Sequence, residues 1–150
     1  MLKVLIADDE EKICQLIIKL INWEEMGLKI AATASNGIEA LEQAKICKPE
    51  ILITDIRMPG IDGMELIRKV KEKLPDTEII IIRGYRHFEY AQTAIRYGVR
   101  NYLLKPIKKE ELRDTLQKIA DIYREKNEQL NFEERVRLAL KNDAGKLRTS

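Results

Sequence analysis

Short apolar runs alternate with longer amphipathic stretches along this 150-residue chain, and the alternation repeats five times. Val4–Ala7, Lys29–Ala34, Ile51–Thr54, Glu78–Ile82 and Asn101–Leu104 are the predicted strands. The first, third and fourth are near-continuous runs of Val, Ile and Leu. Strands covered on both faces have this character, and the sheets they form are mostly parallel. Between the runs, apolar positions recur at helical spacing. Ile13–Ile21 is apolar almost all round, and Ile38–Cys47 carries Ile38, Leu41, Ala44 and Cys47. Met64–Leu74 repeats Met64, Ile67, Val70 and Leu74, and Phe88–Tyr97 offers Phe88, Ala91, Ala94 and Ile95. Asn36-Gly37, Pro59-Gly60, Pro75-Asp76 and Gly98 punctuate the elements. Five such units imply an α/β fold: an open, doubly wound sheet with helices on both faces and right-handed crossovers.

The fifth helical stretch has a different pattern. From Lys108 onward, Leu112, Leu116, Ile119, Tyr123 and Leu130 follow a four-three-four spacing, with Lys126 at the missing step. That is a narrow seam. Through Ile119 it reads as packing on the sheet; from Tyr123 to Leu130 it is expected to project past the sheet, toward a partner helix or a following domain. Asn131–Ser150 holds one weakly amphipathic stretch (Phe132, Val136, Leu138–Leu140) and reads as linker. The expected division is a main domain over residues 1–125 and a helical extension or linker over 126–150.

Composition narrows the classes. With 27 basic and 25 acidic side chains the net charge is +2, which gives no electrostatic case for nucleic acid or an anionic membrane as a direct partner. A chain this long buries roughly 68–70% of its unfolded surface, so it needs no disulfide or structural metal. Cys14 and Cys47 show no ligand spacing and suit buried thiols in a reducing compartment. No segment approaches the roughly 20 apolar residues that span a bilayer. The N-terminus meets Asp8-Asp9 too soon for a signal peptide. A cytoplasmic protein is expected.

Chemistry concentrates at strand ends. Asp8 and Asp9 follow the first strand, Asp55 the third, and Lys105 the fifth, with Pro106 next. Open α/β sheets bind ligands beyond the carboxyl ends of their strands. Three carboxylates gathered there would repel one another. A divalent cation resolves that conflict, and an all-oxygen set suits Mg²⁺. Alone, Asp8 and Asp9 could equally cap the following helix. A third Asp and a Lys, each at its own strand end, count against chance placement.

Three pieces taken together resemble the response-regulator receiver domains of two-component signalling. They are Val4-Leu5-Ile6-Ala7-Asp8-Asp9-Glu10, Ile53-Thr54-Asp55-Ile56-Arg57-Met58-Pro59-Gly60-Ile61-Asp62-Gly63 and Tyr102-Leu103-Leu104-Lys105-Pro106. The resemblance covers roughly residues 2 to 125. It implies a flavodoxin-like (βα)5 sheet of strand order 2-1-3-4-5 with an extended C-terminal helix. Asp55 would accept a phosphoryl group from the phosphohistidine of a sensor histidine kinase. Asp9, Asp55 and the backbone carbonyl of Arg57 would ligate Mg²⁺, Asp8 would reach it through water, and Lys105 would pair with a phosphoryl oxygen. The Lys105-Pro106 bond would be cis. The protein would be a phosphoacceptor and not an enzyme, beyond self-catalysed phosphorylation and dephosphorylation. Its signal would leave through the fourth helix, fifth strand and fifth helix, and a homodimer through that face or the C-terminal helix fits the same reading. Asn22–Gly27 and Gly84–Ala91 resemble receivers joined to AraC-type helix-turn-helix domains. DNA would be met only through such an output domain, absent from this chain.

One position departs from the pattern. Receivers of this type usually carry Ser or Thr at the end of the fourth strand; here Ile82-Arg83-Gly84 places an arginine there, while the aromatic half of the switch is present as Tyr102. Arg83 either folds over the site to pair with phosphoryl oxygens or Asp55, or points to solvent with the hydroxyl switch lost. Altered switching is the favoured reading, and the alternative is a stand-alone receiver acting by protein contacts independent of phosphorylation. Tyr85, Phe88 and Tyr90 read as packing around the fourth helix, and His87 as exposed. An aspartate-nucleophile phosphatase would want an acid at Arg57, and a flavin module would not tolerate Asp8-Asp9-Glu10-Glu11 beside a phosphate.

Overall fold

The structure, a computed structural model, describes residues 1–84 and 95–149, with side chains as far as 142. β1 (Leu2–Ala7), β2 (Leu28–Ala34), β3 (Ile51–Asp55), β4 (Glu78–Arg83) and β5 (Asn101–Leu104) form one sheet in the order β2-β1-β3-β4-β5. All four pairings are parallel. The sequence runs explain the centre of this sheet. Val4, Leu5 and Ile6, Ile51 to Ile53, and Ile80 and Ile81 are completely buried, as strands covered on both faces require. The two edges are less regular. β2 carries a register shift, its pairing with β1 stepping from Ile30 to Ala32, and β5 is only four residues long.

α1 (Glu11–Leu20), α2 (Gly37–Cys47) and α3 (Gly63–Lys73) cross between strands. α2 and α3 pack Ala40, Ala44, Leu66, Ile67 and Val70 against Leu5, Leu52, Ile79 and Ile81 in one core layer. The intervening strand residues face the other way. Cys14 and Ile17 of α1 are buried outside that layer, as are Leu112 and Leu116. α1 is one-sided rather than apolar all round, since Leu16 is 40% exposed. Two helices start on side-chain caps: Asn36 Oδ1 accepts from Glu39 N at 2.8 Å, and Asp62 Oδ1 from Glu65 N at 2.9 Å. Both cysteines are free; Cys14 is buried and Cys47 half-buried.

Contacts divide the chain into a unit of Met1–Leu116 and a unit of Gln117–Ser150. The C-terminal helix runs Lys109–Thr149, so the stretch read as extension or linker is helical. Leu, Ala, Glu, Lys and Arg dominate that stretch and no proline follows Pro106, so helix propensity outweighs its weak amphipathicity. Along it, Leu112, Leu116 and Ile119 are buried, whereas Leu130, Phe132, Val136, Leu138 and Leu140 are exposed. Among the described residues, no helix is long and apolar enough to cross a membrane. The expected helix at Phe88–Tyr97 lies outside the described residues up to position 94, as do Tyr85, His87, Phe88 and Tyr90.

Candidate functional site

Parallel strands all point their carboxyl ends to one rim, so residues just past β1, β3 and β5 meet there. Asp8 follows β1 and is 2% exposed. Its backbone N–H donates to Ala34 O at 3.0 Å, and its Oδ1 accepts from Glu10 N at 2.9 Å. The helix-cap reading of this residue is thereby set aside: the N-cap of α1 is Glu10, and no side chain caps it. Asp55 is the last residue of β3 and is 8% exposed, with Ile82 opposite on β4. Ile56 N donates to its Oδ1 at 2.7 Å.

Lys105 joins these two acids. Its Nζ lies 3.0 Å from Asp55 Oδ2 and 3.4 Å from Asp8 Oδ2. The lysine is set in place by its own N–H, which donates to Arg83 O at 2.9 Å, and it is followed by a cis bond to Pro106. Burial alone would lower its pKa, but the hydrogen bond and charge of Asp55, with Asp8 and Glu10, raise it overall. Asp8 moves the opposite way from a carboxylate's comfort. Burial, opposed by the Glu10 N–H and reinforced by the charge of Asp55, lifts it from 3.8 to about 6. Lys105 offsets only part of that.

The loop after Asp55 is closed tightly. Gly63 N donates to Ile56 O, and a Cβ at Gly63 would stand 2.1 Å from Asp55 O. Only glycine lets α3 start against the carbonyl of the proposed acceptor. A Cβ on Gly37, at the start of α2, would stand equally close to Ile61 O, so the loops after β2 and β3 are fitted together.

Asp9 is exposed, and its carboxylate, with those of Asp8 and Glu10, offers three oxygens within 4.8 Å of one another. Asp55 is not a member of that trio; it is tied to Asp8 through Lys105. Glu10 was not singled out as a ligand in the sequence, although its place in Asp8-Asp9-Glu10 was the available signal. Arg57 is exposed in the loop after β3, and its carbonyl accepts no hydrogen bond among the described residues. Asp8 Oδ2 is buried without a hydrogen bond among the described residues, its one close cation being Lys105. A buried, incompletely neutralised carboxylate oxygen beside two further acids fits a hard divalent cation.

Arg83 ends β4, half-buried, with its guanidinium carbon 5.4 Å from the centroid of the Tyr102 ring. Burial raises the Tyr102 phenol's pKa, and the charge of Arg83 works against it. Both halves of the predicted switch are thus in contact.

The sequence pattern of the response regulator receiver domain matches residues 4–117. An uncharacterized transcriptional regulatory protein, YesN of Bacillus subtilis (strain 168), is 40% identical over 139 residues, covering 89% of this chain and 38% of the relative. The transcriptional regulatory protein HptR of Staphylococcus aureus (strain N315) is 39% identical over 107 residues, 71% of this chain and 42% of that protein. The chain therefore spans about two fifths of the length of these relatives. Among solved structures, the REC domain of AraT, a response regulator from Geobacillus stearothermophilus, superposes with a TM-score of 0.81 at 41% identity, covering 84% of this chain and 98% of the other. A two-component transcriptional regulator AraC from Clostridium phytofermentans ISDg gives 0.75 at 35% identity, covering 81% and 94%. With its 2-1-3-4-5 parallel sheet and its resemblance to YesN-like and AraC-type regulators, the chain belongs to the response regulator receiver domain family.

Proposed function

We propose that this chain is the phosphoryl-accepting receiver of a two-component transcription regulator, with Asp55 as the acceptor. The observation that carries the reading is one ammonium held between two buried carboxylates, Lys105 Nζ against Asp55 at 3.0 Å and Asp8 at 3.4 Å. In the transfer, a carboxylate oxygen of Asp55 bonds to the phosphorus of a sensor histidine kinase's phosphohistidine. The P–N bond breaks as the P–O bond forms, and the imidazole leaves with the electron pair. Lys105 exchanges a carboxylate partner for a phosphoryl oxygen. Asp8, Asp9 and Asp55, with the Arg57 carbonyl, would hold Mg²⁺, which supplies positive charge against the phosphoryl oxygens. The chain acts as acceptor rather than enzyme, turning over nothing beyond its own phosphorylation and its hydrolysis.

Arg83 favours one particular form of the switch. A phosphoryl group brings about −1.5 to −2 charges and three acceptor oxygens. Arg83 then has a stronger partner than the Tyr102 ring, so a guanidinium takes the part of the usual hydroxyl, and the change passes to β5 through Tyr102. The output is transcriptional, through a DNA-binding domain beyond this chain, in the cytoplasm, and either the β5 face or the C-terminal helix can serve a homodimer.

Intact-mass measurement after treatment with acetyl phosphate and Mg²⁺ tests the acceptor. Wild type gains one phosphoryl group and Asp55→Asn gains none; an unmodified wild-type chain, or modification that survives Asp55→Asn, refutes the assignment. Beryllofluoride should then shift the Tyr102 ring resonances in wild type and leave them in place in Arg83→Ala.

A further inference from the structure

Between α2 and α3 lies a cavity of about 170 Å³ that the phosphoacceptor reading does not use. Its floor is apolar, made by Leu41, Ala44, Val70 and Leu74, and its rim carries Lys45, Lys48, Lys69 and Lys73. The arrangement follows from the helices. Val70 and Ala44 are buried where α2 and α3 meet, while Lys45, Lys48 and Lys73 are exposed and Lys69 is half-buried.

Four lysines around one groove need a reason. Helix C-termini attract cations, which suits Lys45 and Lys48 at the end of α2 and Lys73 at the end of α3, but not Lys69, a turn earlier. The acids of α3 do not answer it, because Glu65 and Glu72 are both engaged by Arg68. Among the described residues, none of the four lysines forms an ion pair. Lys73 lies close enough to Lys45 to lower its pKa, with Glu42 the opposing charge. Like charges held together over an apolar floor are complementary to an anionic ligand that also carries apolar surface.

The volume chooses among such ligands. Drug-sized molecules fill about 300–1,000 Å³; this cavity holds one medium side chain. We propose that the α2–α3 groove docks an acidic segment of a partner protein, seating one apolar side chain on Leu41, Ala44, Val70 and Leu74 with flanking carboxylates on the four lysines. The contact is small and transient, read as a single anchor in a groove, and ionic strength weakens it because the rim is exposed. It does not depend on Asp55 or on phosphorylation.

The test is NMR titration of the full chain with the peptide EEDLEED, followed in the backbone amides of residues 41–48 and 69–74. Saturable shifts confined to those segments are expected, weakening about tenfold or more with EEDAEED, the effect of withdrawing one buried leucine side chain. K45E/K73E should lose the binding while keeping the wild-type circular dichroism and Tm. If that variant does not fold, Lys45→Gln with Lys73→Gln supplies the same readout. Absent shifts up to the peptide's solubility limit, equal binding of EEDAEED, or undiminished binding by the charge variants would each overturn the proposal. So would decanoate occupying the groove while the peptide does not. Because Asp55→Asn should bind EEDLEED as wild type does, failure here is separable from failure of the phosphoacceptor assignment.

Discussion

The protein gathers like charges in two places and treats them differently. At the carboxyl rim of the sheet, Asp8 and Asp55 are buried and share Lys105, and Asp8 is pushed up to about 6, first by burial. Between α2 and α3, four lysines crowd a groove, yet Lys45, Lys48 and Lys73 remain exposed and Lys69 only half-buried, and Lys45 is lowered first by Lys73 and less by loss of solvent. The contrast shows what burial adds. Repulsion between exposed charges is largely absorbed by water, whereas buried charges need a counter-ion to be held in place. The acidic site is therefore built to be completed by cations, and the basic groove only to attract an anion.

The sharpest way to break the first region is Gly63→Ala. A Cβ there would meet Asp55 O at 2.1 Å, so α3 or the acceptor strand must shift. Destabilisation of about 3 kcal/mol is expected from overpacking against backbone, measured by urea unfolding, together with slower phosphorylation by acetyl phosphate. Wild-type stability in this variant would show that the loop after β3 is slack.

Asp8→Asn probes the electrostatics with a smaller effect. The folded-state pKa of about 6 exceeds the ordinary 3.8, so the folded form binds this proton more tightly. The resulting stability is full below about pH 4 and is lost as pH rises through 6. In metal-free buffer Asp8→Asn should thus gain on the order of 2 kcal/mol over wild type at pH 7 and almost nothing at pH 4. Added Mg²⁺ should stabilise wild type and leave the variant nearly unchanged. An equal gain at both pH values would mean that Asp8 is not strained by ionisation.

The smallest effect belongs to the groove. Lys73→Gln should let the Lys45 pKa climb back toward its ordinary value, read by NMR of the side-chain Nζ group, with no measurable change in Tm. A falling pKa would place the source of the shift elsewhere than Lys73.

Much of the acidic region was legible in the sequence because strand order projects onto chain order. The first, third and fifth apolar runs each end at a candidate site residue, so chain order alone brings Asp8, Asp55 and Lys105 to one rim. Side-chain allegiance was harder to read. Whether Asp8 caps α1 or faces the site depends on one hydrogen bond, from Glu10 N, that no spacing specifies. The meeting of Arg83 with the ring of Tyr102 likewise depends on rotamers. The groove stayed hidden, since Lys45 and Lys73 are far apart in sequence and each reads as an ordinary solvated helix position. The helix beyond residue 131 has little amphipathicity to mark its length, and propensity sustains it.

The uneven edges of the sheet bear on how copies of this protein can meet. An exposed strand is a template for unwanted pairing and fibre growth. Here one outer strand is kinked where its partnership jumps from Ile30 to Ala32, and the other stops after four residues, at Lys105 and Pro106. Ribbon-to-ribbon joining is discouraged on both sides, so encounters between molecules are steered to side chains on helices and loops, where a change of charge can govern them.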